Sequence, residues 1–174
     1  MAVTPSEATL IVQDSKLTRA INVGLIDGGS STSPLWTSQV SNEDFAEALR
    51  RSLRSHAMFG TEGNAFRLEA TLVGLRQPLV GFNMEVTSTV RYRLVRLSDN
   101  VTVFDETVTR PYTAKFGDAF AGYVRLKLAN EGSVRENIQT FLALLVARDK
   151  ADPNAFGVPM AQLIEELRSK LLPA

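Results

Sequence analysis

The chain has no cysteine, so disulfides and thiolate metal ligands cannot contribute to its stability or chemistry. It has one histidine, His56, which leaves a single candidate for imidazole ligation or His-based acid–base work. No run of residues approaches the ~20 apolar positions that a membrane-spanning helix needs. Nor is there an excess of one charge: 19 basic residues balance 19 acidic ones, and the pI is about 6.6. That balance removes the electrostatic attraction on which nucleic-acid binding depends, so no nucleic-acid partner is expected. Lysine is scarce (Lys16, Lys115, Lys127, Lys150 and Lys170), and the other basic residues are arginines. The start, Met1-Ala-Val-Thr-Pro-Ser6, has neither the basic nor the apolar region of a signal peptide. It fits a chain whose native leader has been removed and a natural cytoplasmic start equally well.

What is present is an ordinary globular composition, 44% apolar over 174 residues, enough for one domain with a proper core. Between Phe66 and Thr109 apolar and polar residues alternate almost without interruption. Phe66, Leu68, Ala70 and Leu72 form one inward set, and Met84, Val86, Ser88, Val90, Tyr92 and Leu94 another. Alternation of this kind predicts antiparallel strands with one dry and one wet face. The apolar phase slips near Val95, as an inserted residue would cause. Gln77-Pro78-Leu79-Val80-Gly81 and Ser98-Asp99-Asn100 read as breaks, and Pro111 as a strand end or an edge. An earlier strand is expected over Ile21–Ile26, and Thr9–Val12 could form a short one. The cluster Asp27–Pro34 is a loop by composition, without the Gly-Lys-Ser/Thr ending of a phosphate loop.

Ser41-Asn42-Glu43-Asp44 is a capped helix start, and the spacing predicts a helix over 42–58 that stops at Gly60. A long helix is expected from a cap at Asp118 to Asp149. Its stripe would be Phe120, Val124, Leu128, Val134, Ile138, Phe141, Leu142 and Leu145, with Gly132 a kink or a point of close approach. The expected organisation is an α+β domain over 1–150: an antiparallel sheet of about four strands with both helices on one face. Residues 151–174 would add a C-terminal amphipathic helix, with Met160, Leu163, Ile164, Leu167 and Leu171 on its apolar side, packed on the same domain.

The chemical candidates are few. Ser52 and His56 lie four apart and could touch, but a surface histidine at a helix end, favoured there when protonated, accounts for His56 better than catalysis does. The carboxylate pairs Glu43-Asp44, Asp105-Glu106 and Glu165-Glu166 are neighbours that point apart. Arg50, Arg51 and Arg54 together with Arg91, Arg93 and Arg96 could form a basic surface for lipid headgroups or sugar phosphates. A solvated face balanced by Glu43, Glu47 and Glu69 explains them more simply. Trp36 is expected at the core edge against Phe45 or Leu49. No catalytic residue, cofactor or metal site is assigned. The remaining candidate is the polar face of the strands, Arg67, Glu69, Glu85, Thr87, Thr89, Arg91 and Arg93, as a surface where a partner would be read.

The order of elements, with Phe45-Ala-Glu-Ala-Leu-Arg-Arg-Ser-Leu53, Phe66-Arg-Leu-Glu-Ala-Thr-Leu72, Val90-Arg-Tyr-Arg-Leu94 and Asp118-Ala-Phe-Ala-Gly122, resembles small bacterial envelope lipoproteins. These are the lipopolysaccharide-assembly lipoproteins and the auxiliary lipoproteins of lipid-transport ABC systems. The resemblance spans roughly residues 20–147. It implies a non-enzymatic periplasmic protein, anchored in the outer membrane through a lipid-modified cysteine that lies outside this sequence. Such a protein would support membrane assembly or lipid transport by binding an envelope protein, with lipid as a further partner. Two alternatives stand beside it. One is a small-ligand or lipid-binding module with a groove between sheet and helices. The other is a cytoplasmic enzyme built on convergent carboxylates of raised pKa.

Overall fold

A computed structural model of the chain describes residues 1–6, 9–10, 15–29, 40–61, 65–78 and 81–158, and the single positions 164, 168 and 171. Strand β1 (Ile21–Asp27) leads to helix α1 (Asn42–Ser55). Strands β2 (Phe66–Arg76), β3 (Met84–Arg96) and β4 (Thr102–Ala114) follow, and helix α2 (Gly122–Ala151) closes the sequence of elements. The strands form one sheet in the order β1-β2-β3-β4. The β2–β3 and β3–β4 pairs are antiparallel, as the alternation predicts. The expectation of a purely antiparallel sheet is corrected at β1, which runs parallel to β2. The connection between them contains α1, and a helical crossover returns the chain to the end from which it started.

Alternation places the core side chains as expected. Phe66, Leu68, Ala70, Val86, Val90, Tyr92 and Leu94 are all buried, and they form the floor on which both helices pack. The phase slip is real, but the extra residue sits in the partner strand. Leu94 pairs with Phe104 and Val95 with Thr102, so Val103 of β4 is the inserted residue. Strand β4 continues past Pro111 to Ala114, further than expected. Proline is tolerated there because β4 is the outermost strand and the missing N–H breaks no inner ladder.

Helix α1 starts as read: the Ser41 hydroxyl accepts from the Asp44 amide at 3.0 Å. It ends at Ser55 instead of residue 58, because Ala57, with φ of 57°, already takes the left-handed conformation that terminates a helix, ahead of Gly60. Helix α2 is not capped by Asp118. That residue closes a short 3-10 turn, Phe116–Asp118, by accepting from the Lys115 amide at 2.8 Å, and α2 begins after Ala121. Its buried stripe is mainly apolar from Val134 onward, through Val134, Ile138, Phe141, Leu142 and Leu145, with Asn137 and Asp149 as its buried polar members. Before Val134 the buried residues are Arg125, Ala129, Asn130, Gly132 and Ser133, while Leu128 is exposed, as is Phe120 just ahead of the helix. Here the helix lies close to the sheet. A side chain at Gly132 would fall inside the ring of Tyr112, so this glycine is a point of close approach within one unbroken helix.

After α2 the chain turns back, and Phe156 packs edge-on against Phe66 with ring centroids 6.1 Å apart. Of the expected C-terminal stripe, Ile164 and Leu171 are exposed, and Met160, Leu163 and Leu167 lie outside the described residues. Trp36, most of the Gly/Ser loop, the Ile11–Val12 end of the possible first strand and the Glu165-Glu166 pair lie outside them too.

Candidate functional site

Both described helices pack on one face of the sheet, so the other face presents the outward residues of β2, β3 and β4. The sheet register brings the expected polar set together. Glu69 of β2, Arg93 of β3 and Asp105 of β4 lie directly opposite one another. Arg93 reaches both acids, at 3.2 Å from Glu69 and 3.8 Å from Asp105. Arg67 flanks Glu69 at 3.0 Å. Arg91 grips Asp105 through two parallel hydrogen bonds of 2.7 and 2.6 Å, the bidentate geometry that guanidinium and carboxylate share. The Arg91 hydrogen bonds hold the Asp105 carboxyl below its usual pKa, and Asp105 in turn raises that of Arg91. Further along, Thr89 faces Thr109 at 3.0 Å, and Glu85 accepts from Thr113 at 3.4 Å. Thr87 lies opposite Pro111 and is half-buried.

The result is a transverse ladder of three arginines and two acids, Arg67–Glu69–Arg93–Asp105–Arg91, on a twisted, solvent-facing sheet. Each exposed pair adds little stability, because water screens it and the long side chains lose entropy. The ladder's consequence is geometric: it fixes the directions of donors and acceptors on the face. Sequence reading missed Asp105 as a member, since as part of an adjacent acidic pair it carries no sign of its cross-strand neighbours. It also missed the exposed Leu25 and Val73, which sit at irregularities in the β1–β2 and β2–β3 pairing, where a simple period of two fails.

The arginines do not converge. Arg50 and Arg51 pair with Glu47 on α1, and Arg54 lies over the Phe59 ring, all on the helical side. Arg91 and Arg93 are on the opposite face. Arg96 is buried, held by Asp99 at 2.7 Å and donating to the Gly157 carbonyl. A joint basic surface is therefore excluded, because the sheet separates its two halves. Among the described residues no three His, Asp or Glu side chains gather as a metal site.

His56 is corrected from a surface residue to a buried one, 4% exposed. Its Nδ1 lies 2.5 Å from the Ser52 carbonyl and its Nε2 2.9 Å from the Thr9 hydroxyl, so the ring ties the N-terminal segment to α1. A carbonyl can only accept, which places the ring proton on Nδ1. The Ser52 hydroxyl donates to the Ala48 carbonyl and accepts from the Val3 amide, so it is not a nucleophile facing a base. Burial pushes the His56 pKa below its ordinary value of 6.5, against the raising effect of the Ser52 carbonyl. The unfolded chain then binds this proton more readily than the folded one. Stability is accordingly expected to be full above that value and to decline as pH falls below it towards the depressed folded pKa. Melting temperatures recorded from about pH 7.5 to about pH 5 should show this decline, and His56→Gln should flatten it. Parallel curves for the two proteins would refute the assignment.

Together these elements define an α+β domain whose two helices cover one face of a mostly antiparallel sheet and whose other face is a polar, ion-paired surface. The same architecture recurs in solved bacterial proteins. A DUF330 protein of Xanthomonas campestris superposes with a TM-score of 0.63 at 11% identity, over 88% of this chain and 96% of that one. A candidate lipoprotein of Caulobacter crescentus gives 0.51 at 17% identity, over 75% and 92%. PelC of Paraburkholderia phytofirmans, a dodecamer, gives 0.50 at 15% identity, over 85% and 95%. At these identities the likeness is one of fold. No family model and no curated protein matches the sequence.

Proposed function

We propose that this chain is the folded domain of a non-enzymatic cell-envelope lipoprotein. In this reading it works in the periplasm, tethered to the outer membrane, and supports membrane assembly or lipid transport by binding a protein partner. The observation that carries the reading is the open sheet face. It presents an ordered row of charged and hydroxyl groups that no described helix covers and that the core does not need. The fold it shares with a candidate lipoprotein supports the location, and the resemblance to lipopolysaccharide-assembly and ABC-auxiliary lipoproteins supports the role. The readings of the Ser52–His56 pair and of the adjacent carboxylates add no competing chemistry. Asp105 belongs to the outward ladder, while its neighbour Glu106 lies opposite the inward-facing Tyr92.

The test uses the full-length gene product in its native host. Radiolabelled palmitate should be incorporated, and a photo-crosslinking residue at Thr87 or Thr89 should capture an envelope protein identifiable by mass spectrometry. The same group at Arg50, on the helical side, should not. A product that takes up no palmitate and fractionates away from membranes would refute the location. Equal crosslinking from both sides would refute the surface.

A second reading, ligand binding, draws on a cavity of roughly 540 Å³ at the end of the sheet where β3 finishes. It is lined by Ala65, Phe66, Leu97, Phe156 and Val158, with Lys16 and Arg96 at its polar side. That size and lining suit a small apolar ligand. Native mass spectrometry of protein purified from its own host would reveal a retained lipid, and its absence would remove this reading.

A further inference from the structure

At the opposite end of the sheet four aromatic side chains stand in solvent. Phe82, between β2 and β3, is 80% exposed, and Phe120 and Tyr123, where α2 begins, are 91% and 78% exposed. Phe116, at 45%, sits between them, edge-on to Phe82 at 5.9 Å and to Phe120 at 6.1 Å. These are not stray positions. The Phe116 amide donates to Asn83 Oδ1 at 3.1 Å, which joins the two loops. Arg125, itself buried, donates to the carbonyls of Ala119 and Phe120 at 2.6 and 2.7 Å and stacks 5.0 Å from the Phe116 ring centre. A buried arginine and a side-chain amide are thus spent on holding the loops that display the rings outward.

We propose that this aromatic tip is a membrane-docking surface that inserts Phe82, Phe116, Phe120 and Tyr123 shallowly into the interfacial region of a lipid bilayer. Three observations favour a bilayer over a protein partner. The rings stand on the loops at one end of the sheet and, among the described residues, line none of the cavities of the fold. At the exposures above they present on the order of 600 Å², at the top of the range for the largest apolar patch of a monomer and short of the roughly 800 Å² per partner of a stable protein interface. Finally, the loop sequences 77–83 and 115–123 contain only two charged residues, Lys115 and Asp118, of opposite sign, and the Asp118 carboxylate is already engaged by the Lys115 amide. Phenylalanine with tyrosine, close to charge-neutral, is the composition that partitions into the headgroup boundary. The sequence reading allows membrane contact only through a lipid anchor. This tip would add a second contact and orient the domain, and it does not depend on the anchor.

The test uses the unlipidated chain, residues 1–174, so its outcome is separate from that of palmitate labelling. The chain should co-sediment with phosphatidylethanolamine–phosphatidylglycerol vesicles, and binding should persist in roughly 0.5 M NaCl, where charge attraction is screened to a few ångströms. Phe82→Ser combined with Phe120→Ser should weaken binding about tenfold or more, because two apolar rings no longer leave water, with an unchanged melting temperature. Phe120→Trp should add a blue-shifted emission component on vesicle addition. Failure of the wild type to bind, binding abolished by salt, or equal binding by the double variant would each overturn the proposal. So would a dimer that the double variant dissociates without any vesicle binding, which would assign the tip to a second copy of the chain.

Discussion

Asn137→Ala is expected to lower the unfolding free energy by about 3 kcal/mol or more, although the residue is a member of neither candidate surface. Asn137 is fully buried on α2 and its amide faces the sheet. Nδ2 donates to the carbonyls of Val108 at 2.8 Å and Ser88 at 3.1 Å, and Oδ1 accepts from the Tyr92 hydroxyl at 2.9 Å. One side chain thereby joins the long helix to both β3 and β4. One helical turn earlier, Ser133 does the same on a smaller scale: it accepts from the Ser88 amide at 2.8 Å and donates towards the Ser88 hydroxyl or the Arg110 carbonyl. Truncating Asn137 leaves Tyr92 with a hydroxyl buried so deeply that its ionisation is already pushed far upward, and with no protein partner at that position. Each such orphaned group costs about 1–3 kcal/mol, and the amide leaves a small void as well. Guanidinium unfolding with an unchanged slope would measure the loss. A change below about 1 kcal/mol would mean that water replaces the amide.

That polar seam also shows where sequence reading succeeds and where it stops. Period-two alternation correctly placed Ser88 inside the sheet among Val86 and Val90, because facing is a local property of the strand. It could not supply the reason a serine is tolerated there, since its partners on α2 lie 45 and 49 residues away. The Ser41 cap and the edge position of Pro111 were legible for the same local reason. The direction of β1 was not, because parallel pairing depends on where α1 returns the chain. The buried face of the first half of α2 was misread towards its apolar residues. Close approach to the sheet selects Gly132, Ser133 and Ala129 there, and releases Phe120 and Leu128 to solvent. His56 was misplaced because the segment that covers it, around Thr9, is remote in sequence. For the candidate site, the outward set was legible as a list, while the ladder needed the register that sets Glu69, Arg93 and Asp105 in one row. The aromatic tip had a faint signal, phenylalanines beside glycine in Gly81-Phe82 and Phe116-Gly117, yet its display rests on Asn83 and Arg125, which no periodicity marks.

Phe141→Ala should be the most damaging single truncation in the core, with a loss of about 3–5 kcal/mol. The ring is fully buried, stacked on Tyr92 at 4.1 Å and 10°, and edge-on to Phe104 at 5.8 Å. The cost of such a cavity depends on whether its walls can move in. Here the largest wall is Tyr92, and Asn137 pins its hydroxyl, so the ring cannot slide into the space without giving up a buried hydrogen bond. The loss should therefore fall towards the upper end of the range in the wild-type background. With Asn137 already alanine, Tyr92 is released, and removing Phe141 should cost less than it does alone. The double variant is then expected to lose at least about 1 kcal/mol less than the sum of the two single variants, as for residues that share one neighbour. Strict additivity would show that Tyr92 is held by its packing alone and that the polar seam and the aromatic core are independent.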